Sequence, residues 1–192
     1  TTGEGGIATT NNIDLAVTMS DLRSHGITKD KDRFVLKTVN EDWRYEQQKL
    51  GFNYRLTDIA AALGLSQLKR LEKVVELRNN LFKNYVELFR ELNVNMLTIP
   101  NGVYSALHLA VLRMDDVNLQ KLLFKKFRDE GIGTQVHYTP VHLQPFYKQF
   151  GFKEGDFPNS EIYSKTSLSI PLYPGLKKSD QKRIFRVLEK FI

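Results

Sequence analysis

Strands alternating with helices predict an α/β or α+β fold for this chain of 192 residues. Three observations carry the prediction. Apolar, β-prone runs at 106–114, 134–138 and 167–171 are separated by runs with helical spacing, the clearest at 117–130. Glycines, prolines and capping residues fall at the joints between them. With 41% hydrophobic and 26% charged residues, the chain is long enough and apolar enough to bury a core.

Taken in order, 6–10 (GIATT) is short and β-prone and reads as a strand, and Asn11 and Asn12 turn the chain. Residues 13–24 carry Leu15, Val17, Met19 and Leu22 on a helix that ends at Gly26, a C-terminal stop. Residues 28–49 are charged and irregular apart from 34–39. GFNYRL at 51–56 leads into the longest helical pattern, with Thr57 as N-cap and Asp58 suited to the positive helix start. Ile59, Leu63, Leu68, Leu71, Val75, Leu81, Tyr85, Leu88 and Leu92 recur at helical spacing, as one helix kinked near Gly64 or as two in succession.

Pro100 and Gly102 break that pattern, so a boundary falls near 93–101, dividing the chain into 1–92 and 93–192. Beyond it come the strand at 106–114, the helix at 117–130 closed by Gly131 and the strand at 134–138. Short helices at 145–150 and 159–165, the strand at 167–171 and a final helix capped by Ser179 complete the chain. Internal repeats and low-complexity stretches are absent from the sequence.

Composition narrows the chemistry. The chain has no cysteine, which removes disulfides, thiolate catalysis and thiolate-bound metals and is compatible with a reducing cytoplasm. The formal net charge of +6 suits nucleic acid or phosphorylated small molecules. Because the lysines are spread over several helices rather than gathered in one run, small anions are favoured. No apolar run approaches the roughly 18 residues of a membrane span. The polar, glycine-rich start is unlike a signal peptide and reads as mid-protein sequence, the mark of a fragment or processed chain.

Four stretches could carry function. GEGG at 3–6 is either a strand-entry turn or a backbone that approaches a phosphate. Arg23, Ser24, His25 and Gly26 suit a helix C-terminus, where Arg and His satisfy carbonyls and the dipole. Asn53, Tyr54 and Arg55 put an amide, a phenol and a guanidinium just ahead of a helix, as a phosphate site or as a polar loop with its N-cap. His137 and Tyr138 would point to opposite faces of a strand, sharing one ligand only where the strand ends at Pro140. A buried, satisfied histidine is the plainer reading there. Metal binding has little support: of His25, His108, His137 and His142, only the last two are close, with no carboxylate between them.

The order of the motifs says more than each alone. TTGEGGIATTNN, LRSHGI, LGFNYRLTDIAAALGLSQLKRL, GIGTQVHYTPVH with LQPFY, and SLSIPLYPGL follow one another along nearly the whole chain. In this the sequence resembles the DegT/DnrJ/EryC1/StrS family of sugar aminotransferases, with LGFNYRLTDIAAALGLSQL the most specific match. Within the family the likeness is to members that aminate a UDP-linked 4-keto-6-deoxy-N-acetyl sugar on the pseudaminic acid pathway.

The resemblance implies an α/β protein, the C-terminal portion of a pyridoxal-phosphate (PLP) fold-type I aminotransferase. Residues 1–92 would be the end of the cofactor-binding large domain with a long connecting helix, and 93–192 the small α/β domain. It implies transfer of an amino group from L-glutamate to the 4-keto group of a nucleotide sugar, in a homodimer with shared active sites. The cofactor-anchoring lysine would lie upstream of Thr1, leaving no catalytic residue in this chain and no activity to the chain alone. Asn53 would reach the PLP phosphate of the other subunit, Arg55 the nucleotide diphosphate, and His137 and Tyr138 the sugar-nucleotide pocket. Residues 3–6 would be a structural turn. Other readings are a PLP-dependent sugar dehydratase, in which another residue replaces the lysine, and a non-catalytic basic binding or interaction module.

Overall fold

A computed structural model describes residues 1–36, 41–92 and 94–192. Their contacts divide the chain into two units, Thr1–Arg70 and Leu71–Ile192.

In the first unit, helix α1 (Ile13–Arg23) starts where the Asn12 side chain accepts from the Leu15 amide at 3.0 Å. It closes where the Gly26 amide donates to the Asp21 carbonyl at 2.7 Å, with Gly26 at φ 70°. Strand β1 (Ile27–Thr28) then pairs antiparallel with β2 (Glu46–Gln47), a hairpin unmarked in the charged stretch of the sequence. Of the 34–39 run, 37–39 lie outside the described residues.

Polar pins do much of the work here. Arg33 donates to both carboxylate oxygens of buried Asp21. Glu46, also buried, accepts from the amides of Val35 at 2.7 Å and Leu36 at 3.1 Å and from the Arg44 guanidinium at 2.8 Å. Burial pushes the Glu46 carboxyl up, but these bonds, with one from Gln48, hold it below its ordinary value.

The strand expected at 6–10 does not form. Ile7 is 92% exposed and no described residue pairs with the segment, so its β-prone side chains have neither an edge to join nor a face to bury. Helix α2 (Asp58–Leu68) is capped as expected, the Thr57 hydroxyl accepting from the Ala60 amide at 3.3 Å. Gly64 lies inside α2, and the helical pattern breaks instead at Lys69 and Arg70.

The second unit is a three-stranded antiparallel sheet with helices against it. Its strands β3 (Asn95–Met96), β4 (Ala110–Arg113) and β5 (Ser167–Ile170) stand in that order, with Val111 opposite Ser169 and Leu112 opposite Leu168. Helix α3 (Leu71–Leu88) contributes Leu81, Phe82 and Tyr85 to the core. Helix α4 (Val117–Asp129) adds Leu123 and Phe127, and α7 (Lys178–Glu189) adds Ile184, Val187 and Leu188. Short helices α5 (Pro145–Lys148) and α6 (Pro158–Thr166) lie between α4 and β5 in the chain. The Tyr85 phenol is buried and donates to the Pro171 carbonyl at 2.9 Å. Burial raises its pKa well above the ordinary value.

Several sequence expectations change here. Because α3 buries its apolar face in this core, the compact units meet at Arg70 and Leu71, ahead of the boundary read at 93–101. Asn93 itself lies outside the described residues. The strand at 106–114 narrows to four residues, the length that finds partners in β3 and β5. The strand at 134–138 shrinks to a single bridge between Gln135 and Ser169. The last helix is capped at Lys177, whose amide donates to Asp180 Oδ2 at 3.1 Å, rather than at Ser179. Gly131 does close α4, at φ 69° with the Ile132 amide on the Phe127 carbonyl at 2.7 Å. The result is a mixed α/β chain, and no helix among the described residues is long and apolar enough to cross a membrane.

Candidate functional site

Asn53 and Arg55 belong to the first unit, and two glycines place them. A Cβ on Gly26 would fall 1.8 Å from the Lys49 carbonyl oxygen, and one on Gly51 would fall 2.1 Å from the Gly26 amide nitrogen. Only glycine lets the two backbones cross this closely. Beyond the crossing, the 52–54 segment runs along the end of α1. The Phe52 amide donates to the Leu22 carbonyl at 2.7 Å, the His25 amide to Phe52 at 2.8 Å and the Tyr54 amide to Arg23 at 2.9 Å. Ser24 and Asn53 form an isolated antiparallel bridge. The last carbonyls of α1 are therefore satisfied by the neighbouring segment, a role the sequence suggested for the Arg23 and His25 side chains.

The face that results is specific. The Phe52 and Tyr54 rings stack, centroids 5.0 Å apart and planes 10° off parallel. Asn53 lies between the two stacked rings in the chain, and Arg55 follows them. Both are exposed, and neither side chain hydrogen-bonds to another described residue. A primary amide and a guanidinium this close in the chain are donors suited to an anion.

His137 and Tyr138 belong to the second unit. Their peptide bond is cis, and their rings meet edge to face with centroids 4.7 Å apart. The two side chains, expected on opposite faces of a strand, are instead neighbours, because the strand ends at the Gln135 bridge before it reaches them. His137 is half-buried with Nδ1 2.8 Å from Ser169 Oγ, while Tyr138 is 66% exposed. The pair joins a phenol to an imidazole at the surface, and both can hydrogen-bond to a polar ligand.

A second histidine close in sequence has another use. His142 is buried with Nε2 2.9 Å from Glu161 Oε1, and its ring lies 4.8 Å from that of Phe157. Glu161 Oε1 also accepts from the amides of Gly155 at 2.9 Å and Phe157 at 3.4 Å. Burial pushes the Glu161 carboxyl up, but His142 and these amides hold it below its ordinary value. Glu161 thus ties the 155–157 turn to α6, and His142 ties the 141–143 turn to the same carboxylate. Neither Ser169 nor Glu161 stood out in the sequence, since each finds its histidine across more than fifteen residues.

A family model described as the DegT/DnrJ/EryC1/StrS aminotransferase family matches residues 1–189. The spore coat polysaccharide biosynthesis protein SpsC of Bacillus subtilis is 36% identical over 199 residues, covering 100% of this chain and 50% of SpsC. The UDP-4-amino-4,6-dideoxy-N-acetyl-beta-L-altrosamine transaminase of Campylobacter jejuni is 36% identical over 198 residues, covering 99% of this chain and 50% of that enzyme. Among solved structures, the PLP form of the putative sugar aminotransferase Spr1654 from Streptococcus pneumoniae superposes with a TM-score of 0.83 at 25% identity, over 100% of this chain and 49% of Spr1654. The chain spans about half the length of the curated relatives it matches. With the family pattern running through 189 of its residues and the fold superposing end to end, the chain belongs to the DegT/DnrJ/EryC1/StrS aminotransferase family.

Proposed function

We propose that this chain serves a PLP-dependent aminotransferase that moves an amino group from L-glutamate to the 4-keto group of a UDP-linked 4-keto-6-deoxy-N-acetyl sugar. The observation that carries the reading is the pair Asn53 and Arg55, two exposed donors on the segment that the Gly26–Gly51 crossing places. The sequence match to the Campylobacter transaminase supports the substrate class.

These residues fit a phosphate-bearing cofactor. The Asn53 amide, with no hydrogen-bond partner among the described residues, is the group that would hold the PLP phosphate, across a homodimer from the subunit that anchors the cofactor. Bound PLP supplies the electron sink for the chemistry. Arg55 binds the nucleotide diphosphate, bidentately where geometry allows. His137 and Tyr138 line the sugar-nucleotide pocket and orient the ligand through their ring N–H and O–H. The net charge of +6 draws a dianionic substrate toward the protein. Helix α2 supports the homodimer, since it leaves Ile59, Leu65 and Leu68 more than half exposed.

The test uses the full-length enzyme, the UDP-linked 4-keto sugar and glutamate labelled with ¹⁵N in its amino group. Mass spectrometry should find the label in an amino sugar. A product that has lost a hydroxyl and gained no nitrogen overturns the reading in favour of a dehydratase.

A further inference from the structure

The His137 ring is held from one edge. Its Nδ1 lies 2.8 Å from the hydroxyl of Ser169, a residue 7% exposed on β5. The backbone fixes this contact, because the Gln135 amide donates to the Ser169 carbonyl at 3.1 Å and the Ser169 amide to the Gln135 carbonyl at 2.8 Å. The bridge that ends the 134–138 segment therefore also sets the serine beneath the ring.

The partners of the two groups bear on where the proton sits. Ser169 Oγ has His137 Nδ1 as its hydrogen-bond partner among the described residues. A partner is not automatic on this strand, since the buried hydroxyl of Ser167 has none among the described residues. A serine hydroxyl and a ring nitrogen this close share one hydrogen, and the Ser169 hydroxyl can supply it to Nδ1. A neutral imidazole that accepts at Nδ1 carries its own proton on Nε2, and that nitrogen has no partner among the described residues.

We infer that Ser169 is a positioning residue for the nucleotide-sugar site: by donating to Nδ1 it holds His137 in the Nε2–H tautomer and presents an N–H donor to a phosphate or sugar oxygen of the ligand. This rests on the place given to His137 under the proposed function. The other tautomer would present a lone pair to the same oxygens and repel them.

The test is a double-mutant cycle in the full-length enzyme, reading KM for the UDP-linked 4-keto sugar, KM for glutamate, and kcat. Ser169→Ala should raise the sugar KM about five- to tenfold, the worth of one oriented hydrogen bond, and leave the glutamate KM and kcat within about twofold. Adding it to His137→Ala should cost nothing more, because the serine acts only through the ring. Ser169→Cys fills the position with a weak donor in place of the hydroxyl and should match the alanine variant; it carries the comparison if the alanine variant does not fold. The inference is overturned if His137→Ala raises the sugar KM while both Ser169 variants leave it unchanged, or if the double variant shows additive losses. If His137→Ala itself leaves the sugar KM unchanged, the place given to His137 falls first.

Discussion

Glu161 is a buried carboxylate that stays charged because His142 and two backbone amides hold it. Its pKa is lowered in the folded chain, so the stability it lends is fully present above its ordinary value of 4.5 and lost as pH falls through the folded value. Glu161→Gln should therefore be less stable than the wild type at neutral pH, and the gap should narrow as pH is taken below 4.5, read by urea unfolding at each pH. A gap that does not change with pH would mean the charge is not what Glu161 contributes. Gly26 makes a different kind of residue-level statement. Its φ is positive and a Cβ would overlap the Lys49 carbonyl at 1.8 Å. Gly26→Ala should cost about 2–4 kcal/mol from the backbone conformation and the overlap together. It should also weaken cofactor binding, because the crossing it opens is what positions Asn53.

Among the elements, α2 is the least self-sufficient. Its composition is apolar nearly all round, it contains no buried residue, and Ile59 is 86% exposed. Ile59→Arg in the full-length enzyme should shift sedimentation toward the monomer, and an unchanged dimer would place the contact elsewhere. The segment next to it tests the shared active site. Full-length Asn53→Ala subunits mixed with subunits that lack the anchoring lysine should regain activity, since each mixed dimer then has one complete site. If Asn53 serves its own subunit, mixing restores nothing. The 134–138 segment shows why local pattern misreads an element. Its residues are β-prone, but one bridge to Ser169 is all the pairing available, and the free end is what lets His137 and Tyr138 meet.

Over the whole molecule, the described residues divide their stability unevenly. The second unit buries Leu112, Leu123, Phe127, Leu168 and Leu188 to below 2% exposure, while polar pins at Asp21 and Glu46 mark the first. Leu168→Ala should cost about 2–5 kcal/mol by the loss of packing around a fully buried leucine. Amide exchange should be slowest in β4 and β5 and faster in β1 and β2, since a strand pair of two residues each has less apolar burial to protect it than the central sheet.

Much of this was legible in the chain alone. Helices announced themselves by periodic leucines and, at Thr57 and Gly131, by their caps, whereas Asn12 read as a turn and the last cap falls at Lys177 rather than Ser179. The family was equally legible, because motifs such as LGFNYRLTDIAAALGLSQL and QVHYTP are contiguous runs. Such features depend on residues a few places apart, and a sequence displays those directly. Contacts between distant residues are another matter. The Gly26–Gly51 crossing, the pairing of β1 with β2, the His142–Glu161 pair and the serine beneath His137 all join residues far apart in the chain. Nothing in either partner's neighbourhood specifies the other, so these contacts exist only once the backbone has folded and burial has left each polar group one partner within reach.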